Sequence, residues 1–204
     1  QGIDIKKLKV EIMNFYKTIP AYKDYIWGGN KLKEYYGKKT DISPLAESWE
    51  LSCHKDGVSY LSNGMSLEEY ISNNKGCLGT MCPSDELPIL IKFIDAQDNL
   101  SVQVHPTDDQ ARAWENQNGK TEMWYVLPSS EEAAIYLGWN KPMDVATIHS
   151  AIEDGSLTQH MHQYTVKSGD VAYIPAGTVH AMKRNTIVAE IQENSDITYR
   201  LYDY

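Results

Sequence analysis

The second half of the chain is a succession of short β-rich stretches cut by glycine and proline turns. Leu100-Ser-Val-Gln-Val-His105 alternates, and Met123-Trp-Tyr-Val-Leu127 and Ala134-Ile-Tyr-Leu137 are compact β-rich runs. Tyr164-Thr-Val166 leads into Ser168-Gly-Asp-Val-Ala-Tyr-Ile-Pro-Ala-Gly177, which reads as strand and turn in alternation. Ile187-Val-Ala-Glu-Ile-Gln192 and Thr198-Tyr-Arg-Leu-Tyr202 complete the series. Segments this short must share one core, so the pattern predicts a mostly β, closed or double-sheet fold decorated with helices. The aromatic balance agrees: 14 Tyr and 5 Trp against 2 Phe suit sheet faces and pocket rims, where one end of the ring stays wet.

Helical patterns interrupt the strands. A weak one covers 5–16. Ser66-Leu-Glu-Glu69 opens a helix over about 66–75, Thr107-Asp-Asp109 one over about 107–116, and Val145, Ile148, Ala151 and Ile152 share a face over 144–154. These are read as insertions into a single domain spanning 1–204, since no repeat, low-complexity tract or linker divides the chain.

Charge narrows the partners. With 19 basic and 28 acidic side chains the net charge is −9, which argues against a nucleic-acid-binding face. The longest apolar run, Leu87 to Ile94, is broken by Lys92 and falls far short of the ~20 residues of a membrane span. Ile5 to Ile12 is too charged for a secretory core. Cys53, Cys77 and Cys82 lack paired spacing and read as free thiols, so a soluble, reducing, cytoplasmic setting is expected.

Gln103 and His105 are two apart on a strand and project to one face. Glu122 opens a later strand, and the Pro175-Ala-Gly177 turn aims His180 inward. Two imidazoles, a carboxylate and an amide oxygen suit Zn²⁺, Fe²⁺, Mn²⁺, Ni²⁺ or Co²⁺ and leave room for water or substrate. His160-Met-His162 is a rival pair, but it reads as a polar turn without a carboxylate at useful spacing. His54 and His149 read as surface residues. Trp27, Trp49, Trp124 and Trp139 read as core or rim packing, and Gly28-Gly29 as a turn with no phosphate-loop context.

Gly169, Pro175-Ala-Gly177 and His180 together resemble the second cupin motif, with Arg184 where that motif has Asn. The Gln103-Val-His105 variant, with Glu122 downstream, resembles type I phosphomannose isomerase. Further blocks agree in order: Ile26-Trp-Gly-Gly29, Glu47-Ser-Trp-Glu50, Ser101-Val-Gln-Val-His-Pro106, Gly119-Lys-Thr-Glu-Met-Trp124, Ala176-Gly-Thr-Val-His-Ala181 and Glu190 to Arg200. The resemblance implies a cupin or jelly-roll barrel and one divalent metal, usually assigned as zinc, on Gln103, His105, Glu122 and His180. It implies interconversion of mannose 6-phosphate and fructose 6-phosphate through a cis-enediol, with a small sugar phosphate as partner. Arg200, Lys120 and Glu190 match its catalytic residues, and Lys92 and Ser101 match positions near its phosphate pocket. The burial cost of Lys92 within an apolar strand would be met by such an anion. The short bacterial members continue into a second cupin-like domain, which is expected to be missing from these 204 residues. Two other readings stand beside this one. One is a non-catalytic sugar- or sugar-phosphate-binding cupin. The other is a ferrous oxygenase, which Gln103, Lys120 and Arg200 disfavour.

Overall fold

The structure, a computed structural model, describes residues 15–82 and 84–204. Its elements run β1 (Thr18–Ile19), β2 (Ala21–Lys23), α1 (Lys31–Tyr36), β3 (Glu47–Leu51), β4 (Tyr60–Leu61), α2 (Leu67–Asn73) and β5 (Ile89–Ala96). There follow β6 (Val102–Val104), α3 (Asp108–Glu115), β7 (Glu122–Val126), β8 (Ala134–Trp139) and α4 (Val145–Glu153). A 3-10 turn at Leu157–His160 leads into β9 (Met161–Thr165), β10 (Val171–Ile174), β11 (His180–Met182), β12 (Thr186–Glu193) and β13 (Tyr199–Tyr202). The helix expected over 5–16 lies outside the described residues except for Phe15 and Tyr16, which are not helical.

Two antiparallel sheets dominate. One has six strands in the order β10-β7-β12-β5-β3-β2, and the other five in the order β13-β6-β11-β8-β9. The expected mostly β architecture is the one found. Period-two alternation sorts β5 between two environments: Leu90, Lys92 and Ile94 share one face, and Ile89, Ile91 and Phe93 the other. The inner faces meet in a core of Ile94, Trp124, Val126, Ile174 and Val188 from the larger sheet with Ile135 and Met182 from the smaller. Outside, α1 covers the larger sheet through Leu32 against Ile187 and Phe93, and α4 covers the smaller through Ala151 against Val102 and Ala181.

The helices begin where their caps stand. Ser66 accepts from the Glu69 N–H, Asp144 from the Thr147 N–H, and Thr107 forms a full reciprocal box with Gln110. One surface expectation fails and one turn proves to be strand. His54 is buried, edge-on to Trp49 at 5.9 Å, because Ser52 and Ser59 tie its strand end inward. His162 lies in β9 rather than in a turn, paired into the ladder with β8, although its side chain is exposed. Cys53, Cys77 and Cys82 are free, and burial with nearby Glu68 pushes the Cys53 thiol up to about 11, which keeps it unreactive.

Gly28-Gly29 is more than a turn. A Cβ on Gly29 would stand 2.3 Å from Oδ2 of the buried Asp95, and that same oxygen accepts the Lys31 N–H at 2.8 Å at the start of α1. The carboxylate cannot retreat without abandoning this bond. Gly29→Ala is therefore expected to destabilise the fold by about 1–3 kcal/mol, the ordinary cost of overpacking. Urea unfolding of the two proteins checks it, and equal midpoints would show that the strand edge yields.

Candidate metal centre

β6 and β11 are neighbours, and Gln103 stands directly opposite His180 in their ladder. Across the other edge of β6, Gln103 stands opposite Arg200 of β13. His180, Gln103 and Arg200 thus form one row on three adjacent strands, and directly opposed residues share a face. His105 follows β6 immediately, and its carbonyl accepts the Gly177 N–H at 2.8 Å. This bond ties the turn that delivers His180 to the end of the strand that delivers His105. Glu122 arrives from the facing sheet as the first residue of β7. Its approach is fixed by Gly119, where a Cβ would lie 2.5 Å from the Asp108 nitrogen, so only glycine lets this loop close against Pro106 and α3.

His105, Glu122 and His180 converge, with ligand atoms all within 4.8 Å of one another. They are among the most buried polar side chains, 2%, 2% and 0% exposed. His105 Nε2 lies 3.2 Å from Glu122 Oε2, and His180 Nε2 lies 3.3 Å from Oε1. Yet neither nitrogen and neither carboxylate oxygen has a hydrogen-bond partner. The far side of each ring explains this. His105 Nδ1 sits 2.8 Å from the Ile197 carbonyl and His180 Nδ1 sits 2.9 Å from the Thr178 carbonyl. A carbonyl only accepts, so Nδ1 of each ring carries a proton, and in the neutral ring Nε2 presents a lone pair. Burial, then the Lys120 ammonium, lower the His105 pKa, which keeps that ring neutral. Lone pairs of two imidazoles therefore face the lone pairs of one carboxylate. A cation among them is what turns this repulsion into ligation, and the carbonyls that fix the ring tautomers are the usual outer partners of metal-bound histidine.

A cavity of about 360 Å³ adjoins the triad. Gln103, Lys120, Lys92, Ser101, Glu190 and Arg200 all line it, whereas the triad lies behind its wall. Lys120 links the two, since it lines the cavity and stands 3.3 Å from Glu122 Oε2. Against the burial that pushes Glu122 up, the Lys120 ammonium holds its carboxyl well below the usual range. Among the described residues Arg200 is exposed and makes no ion pair, so it is not the surface salt bridge that arginines commonly form.

The anion that the burial of Lys92 called for is supplied by the chain itself: Glu190 Oε1 lies 3.2 Å from its ammonium and Glu47 Oε2 lies 3.6 Å away. Burial pushes Lys92 down, but Glu190 and Glu47 outweigh it and its pKa is raised. Glu190 in turn pairs with Lys92 and the Trp124 indole, not with Arg200 or Lys120. The reading of the sequence overlooked Glu47 itself, although Glu47-Ser-Trp49 alternates and puts both side chains on one face. The rival pair fails as a site, since neither His160 nor His162 belongs to the three-residue cluster found among the described residues.

The family model for the catalytic domain of type I phosphomannose isomerase matches residues 15–137, a span holding Gln103, His105, Lys120 and Glu122. The chain belongs to this family. It is 38% identical over 190 residues to the mannose-6-phosphate isomerase ManA of Bacillus subtilis (strain 168), covering 91% of this chain and 59% of that protein. The mannose-6-phosphate isomerase of Streptococcus mutans serotype c is 37% identical over 183 residues, covering 88% and 57%. The crystal structure of mannose 6-phosphate isomerase from Bacillus subtilis superposes with a TM-score of 0.87 at 33% identity, over 93% of this chain and 61% of that one. The chain thus spans about three-fifths of the length of these relatives.

Metal binding needs unprotonated Nε2 atoms, and the His105 pKa lies below the usual 6.5. Protons should compete with a bound divalent metal only below that pH. Metal-loaded protein dialysed at pH 6.5 is expected to keep its ion and to release it as the pH falls further. Metal analysis of the retentate checks this, and half-release above pH 6.5 would contradict it.

Proposed function

We propose that the chain carries the catalytic site of a metal-dependent aldose–ketose isomerase that interconverts mannose 6-phosphate and fructose 6-phosphate through a cis-enediol. The observation that carries this reading is the convergence of buried, donorless lone pairs on His105, His180 and Glu122 beside a polar cavity lined by Lys120, Glu190 and Arg200. Gln103, His105, Glu122 and His180 are the residues assigned to hold the ion. Zinc suits two imidazoles, a carboxylate and an amide oxygen, and when bound it would polarise a sugar oxygen at the cavity floor.

The remaining tasks fall to the chain's own side chains. Moving a proton between C1 and C2 needs a base, a group that stabilises the developing enediolate, and an anchor for the phosphate. Glu190 is the candidate base: its Oε2 is held by the Trp124 indole, and its Oε1 has no hydrogen-bond partner. Lys120 can donate to a sugar oxygen from beside Glu122. Arg200, opposite Gln103 and free of ion pairs among the described residues, is assigned to the charge that builds up on the enediolate. Ser101 on the cavity wall is assigned to the phosphate end. Lys92, committed to two carboxylates, is better suited as the counter-ion of Glu190 than as a phosphate anchor. The setting proposed is the cytoplasm; among the described residues no helix is long and apolar enough to cross a membrane.

A coupled assay for fructose 6-phosphate formation from mannose 6-phosphate tests the reading directly, and metal-loaded protein with no turnover would overturn it. In active protein Arg200→Ala is expected to lower kcat by about 10²–10³-fold, as loss of a group that acts mainly on transition-state charge does. Metal content should stay unchanged. A raised KM with kcat intact would move Arg200 to ground-state phosphate binding.

A further inference from the structure

We propose that Glu47 is a positioning residue for Glu190, acting through the Lys92 ammonium held between them; this rests on the isomerase reading above. Four adjacent strands carry the row. Trp49 of β3 stands opposite Lys92 of β5, Lys92 opposite Glu190 of β12, and Glu190 opposite Trp124 of β7. Glu47 is two residues from Trp49 and shares its face. All five side chains are buried. Each carboxylate has its own indole donor: Trp49 Nε1–H donates to Glu47 Oε2 at 2.6 Å, and Trp124 Nε1–H donates to Glu190 Oε2 at 2.7 Å. One ammonium serves both, 3.2 Å from Glu190 and 3.6 Å from Glu47, with its charge 5.5 Å from the Trp49 ring centre.

An ion pair built for stability needs one carboxylate per ammonium. A second carboxylate leaves the group with a net negative charge in a buried place, and the ammonium is shared between the two acids instead of held by one. Only Glu190 adjoins Trp124, which in turn stacks edge-on against His180 at 5.5 Å, so Glu190 is the carboxylate nearer the triad. Without the charge of Glu47, Lys92 would belong to Glu190 alone, and Glu190 would become a weaker base in a tighter pair. The other titratable and charged groups facing this row are Lys23 and His54 beside Trp49, Tyr25 beside Glu47 and Lys92, Lys120 and Glu122 at β7, and Asp196, Arg200 and Asp203 along the cavity. None of them changes in the variants below.

Glu47→Gln removes the charge and keeps an acceptor for the Trp49 indole. The readout is the Trp124 indole ¹⁵N–¹H resonance of zinc-loaded protein, titrated with pH, beside the pH profile of kcat/KM for mannose 6-phosphate. The Trp124 midpoint is expected to fall by about one pH unit, the scale of a lost like-charge neighbour. The acid limb of kcat/KM should move with it and the plateau should drop about three-fold, as for a weaker general base. Glu47→Asp, which restores the charge, should return both toward the parent values. Should Glu47→Gln fail to fold, Trp49→Phe reads the same coupling with opposite sign. It strips the indole from Glu47, draws Lys92 toward that acid and should raise the Trp124 midpoint. An unmoved midpoint in folded variant protein overturns the proposal whatever the activity. If the midpoint moves but no protein turns over mannose 6-phosphate, the coupling is upheld and the isomerase reading is what fails.

Discussion

Two neutral imidazoles cannot point their lone pairs at one carboxylate, in a place water does not reach, unless something positive joins them. The rest of the molecule is arranged around that constraint. The carbonyls of Ile197 and Thr178 lock the Nδ1 protons outward, so the repulsion cannot be relieved by switching tautomer. Lys120 supplies part of the positive charge from 3.3 Å away, but it reaches only one side of Glu122. The three ligating side chains come from the end of β6, the start of β7 and the start of β11, so no local segment could build the cluster. Both sheets must close before the lone pairs meet.

Closure is governed by register. On β12 the side chains of Val188, Glu190 and Gln192 point inward, opposite Ile94, Lys92 and Leu90 of β5. A slip of one residue would turn Glu190 and Lys92 outward and bring Ala189 and Phe93 in, losing the charge row and the apolar core together. The two indole N–H groups reinforce the alignment, because each bonds a carboxylate on the same inner face. The buried charges therefore specify the register as well as furnish the cavity.

The β architecture and the metal cluster were legible because each rests on short-range rules. Period two puts Gln103 and His105 on one face of their strand, and a Pro-Ala-Gly turn re-aims the chain just before His180. What escaped was set by pairing at long range. Glu47 takes its meaning from Lys92 on the neighbouring strand, 45 residues on, and nothing within Glu47-Ser-Trp49 announces that partner. For Lys92 the converse holds: its place in an apolar strand shows in the sequence, but the two carboxylates beside it lie on different strands. Strands β2 and β3 and helix α1 were missed because their segments carry charge and turn residues that mask the periodicity. His54 was taken for a surface residue because serine hydroxyls, not apolar neighbours, hold it inside.

The inner face of the larger sheet changes character along its strands. Ile94, Val126 and Val188 fill the core, while Glu47 directly opposite Ile94, Lys92 and Glu190 in the next inward row, and Glu122 beyond them are buried too. Stability alone would not favour this. Replacing a buried ion pair with well-packed apolar residues is often neutral or stabilising, whereas removing a single partner costs about 3–5 kcal/mol. A sheet selected only to hold together could extend its aliphatic pattern through positions 92 and 190. Glu47, Lys92 and Glu190 all line the cavity, beside Ile94, Leu100 and Met182 of the core, which ties the cost of these charges to the chemistry of the cavity rather than to the fold. Indoles hold Glu47 and Glu190, and carbonyls hold the two histidines. The groups left free to meet a ligand are then few. They are the converging lone pairs and the Arg200 guanidinium at the exposed edge.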